Sequence, residues 1–225
     1  MALNATTAPV GAGKQFPNME AGTYPTRIVI VADLGLQAQR PFPGSDQKEP
    51  RREVLLTYEF TDEFQKDDDG EDIADKPRWL TETFPLYNLG ADRAKSTKRY
   101  NALDAQHHFE GDYFQFINMP CNVTVVLNPG KGKNVGKVYE NVAEVTAMRS
   151  KDADKTAELA NTPITFDLDD PDLDMFLALP KWIKEKITNN LEFAGSSLSA
   201  MLGDEVSPPN NDLVLDEVDD DEVPF

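Results

Sequence analysis

Between residues 53 and 60, Val54, Leu56, Tyr58 and Phe60 alternate with Glu53, Thr57 and Glu59. A period of two commits this stretch to a strand with one face in a core and the other toward solvent. Its neighbours carry compatible signals. Arg27-Ile28-Val29-Ile30-Val31-Ala32, in a strand beginning at Tyr24 and stopping near Gly35, is rich in β-branched residues, and Pro41, Pro43, Gly44 and Pro50 punctuate the connection between the two. Beyond the acidic link Lys66-Asp67-Asp68-Asp69-Gly70-Glu71-Asp72, residues 78–87 read as the returning strand of a long hairpin, with Leu80, Phe84 and Leu86 on one face and Trp79, Thr81 and Thr83 on the other.

Asp92 is placed to cap a helix over residues 93–104, in which Ser96, Tyr100 and Leu103 share one face and Lys95, Lys98 and Arg99 the next. Residues 122–127 and 138–145 are two more strands, joined by the turn Pro129-Gly130-Lys131-Gly132-Lys133-Asn134-Val135-Gly136. Three strands, a helix and two strands is the order of the OB-fold, a five-stranded Greek-key barrel with a helix between its third and fourth strands. The expected fold is therefore mainly β. Residues 1–20 form a flexible arm, 21–150 the OB-fold domain, 151–203 a helical extension and 204–225 a disordered acidic tail. In the extension, Asp169 or Asp170 with Pro171 marks a helix start, Pro180 separates a second helix, and Ile183, Ile187 and Leu191 form its core-facing stripe.

Charge is distributed unevenly. Residues 204–225 hold nine acids and no base, residues 62–75 carry −7 and residues 167–174 carry −5. Together these runs account for −21 of a net −18, which leaves +3 on the rest of the chain. Two windows in that remainder hold bases and no acid: Arg93, Lys95, Lys98 and Arg99, then Lys131, Lys133 and Lys137. A single cysteine, Cys121, excludes an internal disulfide framework and a multi-thiolate zinc site. With no apolar run of bilayer length and no signal-like N-terminus, the expected setting is cytoplasmic, or the host cytoplasm for a viral protein.

Catalytic motifs do not survive inspection. Five residues separate Gly130 from Gly136 and Val138 follows Lys137, so the lysine turn is not a phosphate loop, which needs four residues between its glycines and a hydroxyl after the lysine. A calcium loop with Gly70 in sixth place would need a bidentate Glu where Lys76 stands. His107 and His108 lack an evident carboxylate partner and read as surface residues. No nucleophile signature accompanies them. The reading is of a non-enzyme without cofactor or metal.

Single strands are held by a cationic groove that tracks phosphates and by aromatic faces on which bases stack. Both basic windows fall where an OB-fold meets nucleic acid, with the 131–137 turn as a mobile finger. Arg93, Lys95, Lys98, Arg99, Lys131, Lys133 and Lys137 are the phosphate candidates. Trp79 is the first stacking candidate, and Tyr87, Tyr139 and Phe42 are weaker ones. Tyr100 falls on the helix's packing face and reads as structural.

The chain ends Asp219-Asp220-Asp221-Glu222-Val223-Pro224-Phe225. This segment resembles the acidic tip of bacterial single-stranded DNA-binding proteins, in which aspartates precede an aliphatic residue, Pro and Phe; here Glu222 is inserted before the aliphatic position. From Met1-Ala2-Leu3-Asn4-Ala5-Thr6-Thr7 through Asn128-Pro129-Gly130-Lys131-Gly132-Lys133-Asn134 to the tail, the chain is similar to phage-encoded single-stranded DNA-binding replication proteins. It departs from the bacterial family in lacking a long Gly/Gln/Pro-rich linker and in carrying helices after the barrel, which argues against tetramers of the bacterial kind. The resemblance implies single-stranded DNA as the main partner, weak duplex binding at most, and replication or recombination proteins docked on Asp219–Phe225. The rival expectation is an OB-fold protein-interaction or virion-associated module that does not bind nucleic acid.

Overall fold

The computed structural model describes residues 17–41, 44, 48–67 and 69–203. Three long antiparallel strands, β1 (Gly22–Gln39), β2 (Lys48–Lys66) and β3 (Asp72–Pro85), are followed by helix α1 (Lys95–Leu103), then by β4 (Pro120–Pro129) and β5 (Val138–Ala147). The sheet order is β3-β2-β1-β4-β5. Thr26 pairs with Phe60 and Val31 with Leu56, so the two strands expected to be neighbours are neighbours. The N-terminal half of β1 pairs with β4 from Gly22↔Val125 to Arg27↔Pro120.

The sheet is not closed into the barrel that the sequence led us to expect, since no backbone ladder joins β3 to β5. Side chains occupy that seam instead. Arg78 of β3 spans it to Glu140 of β5, with its Nη2 2.7 and 2.9 Å from the two carboxylate oxygens. Arg99 of α1 donates to the carbonyls of Val142 and Ala143 at 3.3 and 3.1 Å, taking up acceptors that a closing strand would use.

A short strand was not foreseen. After the single turn α2 (Ser150–Ala153), β6 (Ile164–Phe166) pairs parallel with Ile30–Ala32 of β1. Helices α3 (Leu173–Ala178), α4 (Lys181–Thr188) and α5 (Ser197–Leu202) follow and lie on the same side of the sheet. The region expected as a helical extension is therefore one wall of the folded body. Two cores result. Val54, Leu56, Tyr58 and Phe60 enter the first with Phe84, Tyr100 and Phe116. Val29, Ile30, Leu34 and Leu55 enter the second with Phe166, Phe176, Ile183 and Ile187. A bulge between Ile28 and Ile30 puts Val29 and Ile30, consecutive in sequence, into the same core. So β2 is buried on both faces in its middle, not half-buried: the solvent side assigned to Thr57 and Glu59 is covered.

Two charged residues paired across β1 and β2, Arg27 and Glu59, fasten this cover. Arg27 donates to the Ala157 carbonyl at 2.8 Å and to the Thr156 carbonyl at 3.2 Å. Glu59 accepts from the Ala160 amide at 2.6 Å, from Asn161 Nδ2 at 2.7 Å and from Trp79 Nε1 at 2.9 Å. Buried charges persist only when satisfied this fully.

Helix boundaries also depart from expectation. Asp92 does not cap α1; the N-cap position is Ala94, which makes no side-chain bond. Asp172, rather than Asp169 or Asp170, caps α3 by accepting from the Met175 amide at 3.0 Å, so Pro171 precedes the cap. In the α4 stripe Ile183 and Ile187 are buried, but Leu191 lies past the helix end and is exposed. No described helix is long and apolar enough to cross a membrane.

Candidate nucleic-acid interface

The first basic window splits in two. Arg93 and Lys98 are exposed. Lys95 is half-exposed with its Nζ 3.0 Å from Glu82. Arg99 turns inward because it stands three residues after Ser96 and four before Leu103, on the buried stripe of α1. Its Nε lies 2.8 Å from Glu82 Oε1 and its Nη2 3.1 Å from Oε2. Tyr58 donates to the same carboxylate at 2.7 Å. Burial by itself would raise the Glu82 pKa, but the Arg99 hydrogen bonds, the Lys95 and Arg99 charges and the Tyr58 hydroxyl outweigh it and hold the group below the usual glutamate value. Arg99 thus serves the interior, and the spacing from Ser96 to Leu103 is the sequence signal for it.

The second window forms a compact turn. The Gly130 amide donates to the Lys137 carbonyl at 2.8 Å, and a single 3-10 turn spans Gly132–Asn134. A Cβ at Gly130 would collide with the Asn134 carbonyl oxygen, so only glycine fits there. Lys131 and Lys137 are exposed, as is Tyr139 at the start of β5. The Lys133 side chain lies outside the described structure, as do Phe42 and Asp219, Asp220, Asp221, Glu222, Val223, Pro224 and Phe225.

Trp79 is half-buried: its ring packs on the second core and its indole N–H is committed to Glu59. Thr83, further along that face, receives a 3.4 Å hydrogen bond from Lys186 of α4, which also pairs with Glu53 at 2.8 Å. The cover of β6 and helices thus reaches the face reserved, on sequence grounds, for bases.

Tyr87 is better placed. It is 36% exposed at the end of β3, where the β2–β3 ladder is prolonged by the Leu86 amide on the Arg52 carbonyl at 2.8 Å. The Arg51 guanidinium stacks over its ring, 4.3 Å from the centroid. Arg51 escaped the sequence reading because it belongs to neither acid-free window; only the pairing of β2 with β3 brings it to Tyr87. Arg93 stands on the same rim, lining one hollow with Tyr87.

Two cationic, aromatic groups therefore flank β3. Arg51, Tyr87 and Arg93 lie at its end. Lys131, Lys137 and Tyr139 lie toward its middle, where Arg78 meets Glu140 next to Tyr139. At about 3.3 Å per residue the strand from Arg78 to Tyr87 spans roughly 30 Å. Among the described residues no cluster of three or more His, Cys, Asp or Glu could hold a metal ion. Cys121 is fully buried, and burial pushes its thiol up to about 12, so it is no nucleophile. No protein-family model matches this chain, and no curated protein matches it in sequence.

Proposed function

We propose that this protein binds single-stranded DNA through an OB-type fold left open between β3 and β5, and acts in DNA replication, as the sequence resemblance to phage replication proteins implies. One observation carries the reading: the order β3-β2-β1-β4-β5, with α1 between β3 and β4, is the OB order interrupted at one seam. The two cationic, aromatic groups then stand near the middle and just past the C-terminal end of β3, the strand that borders the binding surface. Arg51, Arg93, Lys98, Lys131 and Lys137, joined by Lys95 and Lys133, meet phosphates, while Tyr87 and Tyr139 offer faces to bases. Recognition is dominated by charge and stacking and so tolerates any sequence. The acidic tail competes with DNA for the cationic surface and, through Asp219–Phe225, docks replication or recombination enzymes.

One observation favours the rival, a protein-interaction module: β6 and helices α3–α5 cover much of the outer sheet face. A fluorescence titration with a thymine oligonucleotide over a range of salt separates the two. With about five phosphate contacts, log K against log salt should fall with a slope near −3.5. Absence of binding at low salt would retire the DNA reading in favour of the rival.

A further inference from the structure

Asp92 is freed by the late start of α1. It and Arg93 are exposed and, among the described residues, neither side chain has a hydrogen-bond or ion-pair partner. Both line a shallow, open hollow with Tyr87, Ala91 and Ala94. Tyr87, which is 36% exposed, lines the hollow, and Arg51 stacks over its ring without being a lining residue.

The wall of the hollow is fixed by its own backbone bonds. The Tyr87 amide donates to Ser96 Oγ at 3.1 Å, the Ala91 amide to the Asn88 carbonyl at 2.8 Å, and the Ala94 amide to the Ala91 carbonyl at 2.9 Å. The Gly90 amide is held on Asn88 Oδ1 at 2.9 Å. An aromatic face, a carboxylate and a guanidinium are thus presented on a loop that need not be ordered by its ligand.

We propose that this hollow is a nucleobase subsite that prefers guanine, which makes one position of an otherwise sequence-tolerant interface base-selective. The inference rests on the single-strand reading above. A base stacks on Tyr87, which Arg51 backs, and its phosphate pairs with Arg93. Asp92 then faces the edge of the base. Guanine is the base whose pairing edge places two neighbouring N–H donors, N1–H and the N2 amine, opposite the two oxygens of a carboxylate. Thymine offers one N–H between two carbonyls, which a carboxylate repels. The two alanines leave room for the larger purine ring.

The test uses the full chain and two probes, a thymine oligonucleotide and the same oligonucleotide with one guanine moved along its length. The guanine-bearing strand should bind on the order of five- to tenfold tighter at its best position. Asp92→Ala should abolish that ratio, with affinity for the thymine strand unchanged or slightly tighter, since the carboxylate that repels thymine is gone. Tyr87→Ala should weaken both strands, and circular dichroism melts verify that each variant is folded. Equal wild-type affinities, or a preference that survives Asp92→Ala, would overturn the subsite and leave the single-strand reading standing. If neither strand binds, both fall together.

Discussion

Glu82 joins three partners that come from different elements: Tyr58 on β2, and Lys95 and Arg99 on α1. Removing its charge leaves the buried Arg99 without its directly paired carboxylate, so Glu82→Gln should cost about 3 kcal/mol in a urea melt. The pH dependence has a definite sign. Because the folded pKa lies below the unfolded one, the contribution is complete at neutral pH. It begins to fade below about pH 4.3 and is lost as the pH falls through the folded value. Wild type should therefore lose stability toward acid more steeply than Glu82→Gln, and parallel limbs for the two proteins would contradict the assignment. Residue types revealed little of this network. A basic window in sequence looks the same whether its arginine faces water or a buried carboxylate, and only the phase of Arg99 against Ser96 and Leu103 betrays the difference.

At the scale of elements, alternation along β2 located that strand's share of the first core residue for residue, whereas the second core was hidden. A strand covered on both faces shows no period of two, and Leu55 sat unremarked among the alternating residues. The cover meets β1 closely at Gly35, whose φ is +72° and whose missing Cβ would lie 2.7 Å from both Asn190 Cγ and Leu168 Cδ2. Gly35→Ala should cost about 2–4 kcal/mol, through the left-handed backbone and the collision together, read as a lowered thermal midpoint. In the proposed reading the lysine turn bears on binding instead. Replacing Lys131, Lys133 and Lys137 by Ala should weaken single-strand binding uniformly across sequences and flatten the salt slope by about 2, roughly 0.7 for each lost contact. An unchanged slope would remove the turn from the interface.

For the whole molecule, the order of strands and helix was legible because each period is local. The open seam was not, because it depends on Arg78, Glu140 and Arg99 meeting across strands remote in sequence. Charge works at this scale too. Residues 204–225 carry nine acids without a base. Deleting them should tighten single-strand binding, most at low salt, where screening over about 10 Å no longer shields the cationic rim. Deleting Phe225 alone keeps all nine acids and should leave DNA binding nearly unchanged while abolishing pull-down of replication enzymes. The second core also bears on how the chain is made. β1 and β2 leave the ribosome early, but the residues that cover Val29, Ile30, Leu34 and Leu55 extend to Leu198 in α5. At about 5–20 residues per second the roughly fifty residues separating the end of β5 from that point take about 3–10 s to translate. Through that interval the first five strands display a bare apolar strip until β6 and the helices cover it, and such transiently exposed surface is prone to aggregation.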